Sequence, residues 1–323
     1  MIVVTGGAGF IGSRLVHALN QKGCHDLLVV DHLGSSQKWH NLNGLAFKDY
    51  LDRGQFMTEL EAGRFGGRIQ AIFHLGACSS TTETDVDYLM ENNFRYTCRL
   101  AAWRAAHPAC RLIYASSAAT YGNGAQGYQD NEGALDKLLP LNPYGFCKQR
   151  FDLAARSNGW LGDIVGLKYF NVFGPNEGHK GDMRSLVHKS FAALRREGVM
   201  RLFKSYRPDF ADGEQARDFI YVDDAVAITL FFLEHHSVNG IFNVGSGAAR
   251  TWNDLAGAMF RALAMPVNIQ YIEMPTPLRG QYQYFTQADM SKLRQAGCQH
   301  QCLDLETAVR EYVTGHLLKE EEA

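Results

Sequence analysis

The sequence predicts an α/β fold: a doubly wound parallel sheet of Rossmann type, with a smaller α/β lobe carried by the second half of the chain. Three observations predict it. Strand-like and helix-like segments alternate from the first residue, as βαβ units do. The strand segments are near-continuous apolar runs, which is what a sheet covered by helices on both faces requires. A glycine-rich turn joins the first strand to the first helix, where a dinucleotide fold places one.

The elements follow in order. Ile2 to Thr5 is a short apolar strand, and Ile11 to Lys22 carries Ile11, Leu15, Val16 and Leu19 at helical spacing. Leu27-Leu28-Val29-Val30 is a second buried strand ending at Asp31. Ile69 to Leu75 is a third and Leu112 to Ala115 a fourth, with a helix from about Tyr88 to Ala106 between them. Asn142-Pro143 opens a helix at Tyr144, because proline suits the first helical position, and Ile164 to Tyr169 continues the sheet. After Gly174-Pro175 the loops lengthen. Residues 204–216 are polar and read as an exposed insertion. Phe219 to Val222 returns to strand pattern, and Val226 to Leu233 is a buried helix. These patterns divide the chain into a dinucleotide-binding body over residues 1–170, with segments returning near 218–247, and a substrate lobe over 171–323. The tail Lys319 to Glu322 reads as disordered.

The 323 residues suffice for such an assembly, and their composition, 46% hydrophobic and 20% charged, is that of a globular protein. A formal net charge of -2 gives no reason to expect a nucleic-acid partner. No apolar run reaches the roughly 20 residues of a membrane helix, and no leader pattern precedes Ile2. Seven cysteines at scattered spacing fit reduced thiols in the cytoplasm. Cys298-x-His300-x-Cys302 supplies two thiols and one imidazole, short of the four ligands of a structural zinc, so no metal is expected.

Gly6-Gly7-Ala8-Gly9-Phe10-Ile11-Gly12 places glycines at positions 6, 9 and 12. The first permits the tight turn, the second lets the backbone approach a pyrophosphate, and the third allows close packing of helix on strand. The helix N-terminus offers N–H groups and a positive dipole end to that anion. Asp31, at the end of the next strand, is placed to accept from a ribose hydroxyl and would by itself favour NAD over NADP. His32, Lys38 and Arg53 can counter its charge, and each can equally be a solvated loop residue. Small residues end the third strand at His74-Leu75-Gly76-Ala77-Cys78-Ser79, where a cofactor would cross. Either Asn92 or Asn93 can bond within the fold or reach that cofactor; otherwise Asn93 is a solvated helix position.

Tyr144 and Lys148 are four residues apart and share a helix face. A nearby positive charge lowers a phenol from its ordinary value of about 10 and makes it a usable base. Ser116 and Ser117 end the fourth strand. Serine, then Tyr-x-x-x-Lys, after a Gly-x-x-Gly-x-x-Gly start resembles the extended short-chain dehydrogenase/reductase superfamily of nucleotide-sugar epimerases and dehydratases. Thr5 to Gly12, Asn142-Pro143-Tyr144-Gly145 and Asn171-Val172-Phe173-Gly174-Pro175 are features of that whole superfamily. Ala118-Ala119 stand where its dehydratases carry an Asp-Glu pair, which argues against dehydration. Three further segments are similar to the ADP-L-glycero-D-manno-heptose 6-epimerase family: His74 to Glu83, Glu177-Gly178-His179-Lys180-Gly181-Asp182-Met183, and Arg279-Gly280-Gln281-Tyr282-Gln283 with Phe285 to Asp289.

The resemblance implies roles residue by residue. Tyr144 is one acid/base, supported by Lys148 and Ser116, and Lys180 is a second. It implies a cofactor site of Gly6, Gly9, Phe10, Ile11, Gly12, Asp31, His32, Lys38, Arg53, Leu75, Gly76, Ala77, Cys78, Ser79, Asn92, Lys148, Val172 and Lys180. It moves the cofactor expectation to NADP, with NAD the alternative. Substrate contacts fall on Asn171, Asp182, Lys189, Phe203, Arg217 and Tyr282, although Asp182 and Lys189 depart from the residues usual there. The implied activity is epimerisation of ADP-heptose for the lipopolysaccharide core, by a homo-oligomer, typically a pentamer. A UDP-hexose 4-epimerase or another nicotinamide-linked sugar enzyme is the competing enzyme class. A dinucleotide-sensing regulator would have no use for Ser116, Tyr144 and Lys148.

Overall fold

Seven parallel strands form the main sheet. β1 (Ile2–Thr5), β2 (Leu27–Asp31), β3 (Asp49–Asp52), β4 (Ala71–His74), β5 (Arg111–Ser117), β6 (Val165–Tyr169) and β10 (Gly240–Val244) lie in the order β10-β6-β5-β4-β1-β2-β3. β7 (Asn171–Phe173), β9 (Ala216–Tyr221) and β11 (Ala249–Thr251) make a second sheet, and β8 (Met200–Phe203) pairs with β12 (Ile269–Ile272) in a third. The computed structural model describes residues 1–280 and 282–322. Gln281, part of one family-like segment, lies outside the described residues.

Both faces of the main sheet are apolar because both are covered. On one face α1 (Phe10–Gln21) and α7 (Val222–Glu234) pack Leu15, Val16, Leu19, Ala225 and Val226 against Val4, Val29 and Phe73. On the other, α2 (Arg53–Glu61), α4 (Tyr96–Ala106) and α5 (Pro143–Ser157) pack Phe56, Met57, Leu100 and Phe151 against Val3, Val30, Ile72 and Leu112. Burying each such large side chain stabilises the fold by about 1.5–3 kcal/mol. A third core, including Phe173, Val187, Phe191, Leu194, Met259 and Tyr312, holds α6 (Leu186–Glu197) and α8 (Trp252–Ala262) with the smaller sheets.

Several sequence expectations are corrected. β3 and α2 were not expected: Asp49-Tyr50-Leu51-Asp52 is polar because it is an edge strand, so the apolar-run signal is missing. The strand expected at Phe219–Val222 runs from Ala216 to Tyr221 and pairs with β7 and β11, not with the main sheet; β10 is the strand that rejoins it. The helix expected from Tyr88 to Ala106 is interrupted by a π-turn over Met90–Arg95, between α3 (Val86–Leu89) and α4. The polar stretch 204–216 is not an exposed insertion throughout. Gly213, Gln215 and Ala216 are buried, and the Ser205 N–H donates to Asp212 Oδ1 at 2.7 Å. The tail is helical over Leu318–Glu322 rather than disordered.

Candidate active site

The C-terminal ends of β1, β2 and β4 surround a recess of about 180 Å³. Gly6 turns the chain at φ +69°, and a Cβ there would lie 2.7 Å from the Gly76 nitrogen. At Gly12 a Cβ would lie 2.0 Å from the Gly6 carbonyl oxygen. α1 therefore starts against the turn with no side chain capping it, which leaves its first N–H groups without a side-chain acceptor. Below the turn, His74 is buried between Thr5 Oγ1 (2.7 Å) and Thr97 Oγ1 (2.9 Å). Burial pushes its pKa down to about 3, and the Lys148 charge adds to that, so the imidazole is neutral. Thr5 Oγ1 also accepts from the Gly76 N–H at 3.1 Å, which couples the ends of β1 and β4.

Of the residues expected at the cofactor, Asp31, His32, Lys38, Arg53, Gly76, Ala77, Cys78 and Asn92 line this one recess together with Gly6. Asp31 is buried and fully engaged: Oδ2 accepts from the Ala8 N–H (3.0 Å), and Oδ1 from the His32 N–H (2.7 Å) and Lys38 Nζ (2.6 Å). Lys38 thus offsets the carboxylate that would repel a 2′-phosphate. Among the described residues the Arg53 guanidinium is in no ion pair. Asn93 is buried, not solvated. Its side-chain amide exchanges hydrogen bonds of 2.8 Å with the N–H and C=O of Cys78, while Asn92 faces the recess. Thr5, Tyr88 and Tyr96 also line it and were not foreseen from the sequence.

A larger cavity of about 570 Å³ opens beside this recess. It is lined by Phe10, Ile11, Ser79, Ser117, Tyr144, Asn171, Val172, Lys180, Lys189, Phe203 and Tyr282, among others. Tyr144 and Lys180, 36 residues apart in sequence, thus share one chamber. Pro143 and the Asn142 cap, which accepts from the Gly145 N–H at 2.8 Å, start α5 so that Tyr144 stands in its first turn. Burial raises the Tyr144 phenol above its ordinary value, and its hydrogen bond with Ser117 works against that. The expected lowering is therefore not what this chamber shows. Lys148 is buried, donates to the Ala115 carbonyl at 2.7 Å, and sits 6.0 Å from the centre of the Tyr144 ring. Burial brings its pKa down to about 8. Lys180 lies 5.1 Å from the Phe10 ring centre, and burial lowers its pKa while Glu177 opposes the shift.

The serine assignment is corrected. Successive residues of a strand face opposite ways, and Ser116 faces away from Tyr144. Its hydroxyl donates to Asp152 Oδ2 at 2.8 Å, in a buried network with Tyr114 (3.0 Å to Asp152 Oδ1) and Lys168 (2.6 Å to Asp152 Oδ2). Ser117 is the serine at the phenol. Strand alternation was the signal that could have identified it. Two substrate expectations also change. The Asp182 side chain is exposed and outside the cavity lining; its backbone carbonyl accepts from Lys189 Nζ at 3.2 Å. Arg217 is buried behind the wall, its guanidinium 4.9 Å from the Tyr282 ring and 5.8 Å from that of Trp252. Trp252, which donates to the Tyr282 hydroxyl at 2.7 Å, joins the cavity lining with Thr81, Met183 and Arg201.

The family model described as "NAD dependent epimerase/dehydratase family" matches residues 2–245. The chain belongs to this family. It is 52% identical over 98% of both chains to an ADP-L-glycero-D-manno-heptose-6-epimerase of Nitratidesulfovibrio vulgaris (strain DP4). It is 45% identical, over 99% of both chains, to one of Fusobacterium nucleatum subsp. nucleatum. The crystal structure of the Helicobacter pylori ADP-L-glycero-D-manno-heptose-6-epimerase superposes with a TM-score of 0.79 at 26% identity, covering 97% of this chain and 95% of that one. As an epimerase/dehydratase family member the chain is an enzyme, and the glycine cradle and uncapped helix end fit its nicotinamide dinucleotide. Among the described residues no helix is long and apolar enough to cross a membrane. Away from the cavity, Asp224, His300 and Cys302 converge. His300 Nε2 and the Leu303 N–H bond the carboxylate at 2.8 and 3.0 Å, fastening the 298–303 segment to α7.

Proposed function

We propose that this enzyme interconverts ADP-D-glycero- and ADP-L-glycero-D-manno-heptose at C6 of the heptose, with NADP held in the recess. The observation that carries the proposal is that one chamber contains two separated proton-transfer groups, Tyr144 and Lys180. The names of the 52% and 45% identical relatives support the substrate.

The carbon to be inverted bears a hydroxyl and carbon neighbours, so its C–H is not acidic and a base alone cannot invert it. When bound, the nicotinamide supplies a reversible hydride acceptor that is restored in each turnover. The chain's residues manage the protons. Tyr144, hydrogen-bonded to Ser117 and flanked by Lys148, is the proton station for the hydroxyl of one epimer: its phenolate accepts that proton on oxidation, and its phenol, the form that burial favours, returns one on reduction. The resulting ketone must present its other face, which rotation about the C5–C6 bond achieves. Its oxygen then lies elsewhere, beyond the roughly 3 Å reach of one proton-transfer group. Lys180 is the second station, and the burial that lowers its pKa makes its ammonium a readier proton donor. Lys38, offsetting Asp31, and Arg53 in the same recess support NADP over NAD. The family resemblance supports a cytoplasmic homo-oligomer, a pentamer, that supplies heptose to the lipopolysaccharide core.

Purified protein should equilibrate the two ADP-heptose epimers without added cofactor and leave UDP-galactose unchanged. Conversion of UDP-galactose in place of ADP-heptose would make it a 4-epimerase. Tyr144→Phe and Lys180→Met should each lose about 10²–10⁴-fold in rate while still binding NADP. A wild-type rate for Lys180→Met would refute the two-station mechanism.

A further inference from the structure

We propose that Glu177 is a positioning residue whose buried carboxylate closes the 174–185 loop and thereby holds the Lys180 ammonium in the cavity; this rests on Lys180 being the second proton station. Glu177 is 0% exposed. Its Oε1 accepts from Ser185 Oγ at 2.6 Å and more distantly from the Gly174 N–H at 3.4 Å, and its Oε2 accepts from the Ser185 N–H. Tyr312, from the helix Leu305–Tyr312, also hydrogen-bonds to it. One carboxylate therefore ties both ends of the loop to each other and to a helix near the end of the chain. Among the described residues no lysine, arginine or histidine forms an ion pair with it. A buried charge without a counter-ion is costly, and neutral groups could close a loop that had only to be closed.

Lys180 is three residues on, and its N–H bonds the Glu177 carbonyl at 3.0 Å. The turn between them is framed by two left-handed residues, Asn176 (φ 74°) and Gly181 (φ 54°). Its other flank is tied to the dinucleotide turn. Asn176 Nδ2 donates to Ser13 Oγ (2.9 Å), and Asn41 Nδ2 contacts Ala8 O (3.0 Å), Asn176 O (3.1 Å) and His179 Nδ1 (3.1 Å). The loop thus has one mooring on each side of the cavity, and Glu177 is the buried part of the mooring towards α6, with Lys189 Nζ on the Asp182 carbonyl (3.2 Å) at the surface. Its charge also favours the Lys180 cation over the neutral amine.

The test combines lysine-selective reductive methylation, read by peptide mass spectrometry, with steady-state kinetics on full-length Glu177→Gln. Lys180 should label at least about tenfold faster than in the wild type, relative to the exposed Lys48, which lies outside the loop, because a lost hydrogen bond to a charged group frees the loop. The value of kcat should fall about tenfold to a hundredfold through misplacement of the proton station. KM should stay within about twofold, and bound cofactor and Tm should be nearly unchanged. Tyr312→Phe removes one donor and should move labelling and kcat the same way by less; it carries the test if Glu177→Gln does not fold. Wild-type labelling of Lys180 in both variants overturns the proposal. Faster labelling with unchanged kcat would uphold the positioning and instead remove Lys180 from the reaction.

Discussion

The recess and the cavity beside it are built from different materials. The recess is shaped by backbone: three glycines, an uncapped helix end and the ends of three adjacent parallel strands. The cavity is walled by side chains from segments as distant as Phe10 and Tyr282. Backbone surfaces recognise what all nucleotides share, whereas side-chain walls can be exchanged one residue at a time. Within one family, the first kind of site preserves the cofactor and the second changes the sugar.

The largest effect expected from breaking this contrast is at Gly12. An added Cβ 2.0 Å from the Gly6 carbonyl meets backbone that cannot rotate aside. Gly12→Ala should weaken cofactor binding on the order of a hundredfold, measured by titration of the stripped protein; undiminished affinity would mean that the turn yields. A smaller effect separates the adjacent serines. Ser117→Ala should lower kcat about tenfold to a hundredfold, as for a hydrogen bond to a charged group. Ser116→Ala should leave kcat near wild type and cost about 1 kcal/mol of stability. The reverse ranking would restore Ser116 to the chemistry.

A pH-dependent effect is expected at the seam between the two regions. Lys148 titrates near 8 in the fold and near its ordinary value of about 10.4 when unfolded. Between these values the unfolded chain binds more protons, so this residue's contribution to stability rises with pH. The stability difference between the wild type and Lys148→Met should therefore shift in favour of the wild type from about pH 8 to about pH 10. A flat difference in urea melts across that range would show that burial does not depress this lysine.

Legibility followed the same division. The glycine turn, Asp31 and the apolar strands could be read from sequence because each depends on local spacing. The edge strand Asp49–Asp52 escaped because a polar edge lacks an apolar run. Asn93 was ambiguous because nothing local marks a helix position as facing the Cys78 backbone. At Ser116 and Ser117 the information was present, since Tyr114 and Ser116 both point to Asp152 and the next residue must point elsewhere. Arg217 and Trp252 needed tertiary structure, because their common neighbour Tyr282 is 65 and 30 residues away, respectively.

The Asp152–Lys168 pair has a bearing on the chemistry although it touches no substrate. Asp152 lies eight residues along α5 from Tyr144, about 12 Å at 1.5 Å per residue. Fully buried with Lys168 on β6, it gives the helix a fixed datum on the sheet. If α5 slid by one turn, about 5.4 Å, two charges would be stranded without partners, so that displacement is excluded. The height of the phenol above the sheet is thus gauged from a point two turns further along its own helix, as a ruler is read from its zero mark. Transplanting Tyr144 and Lys148 onto another scaffold without that reference would carry over the reagents and lose the alignment.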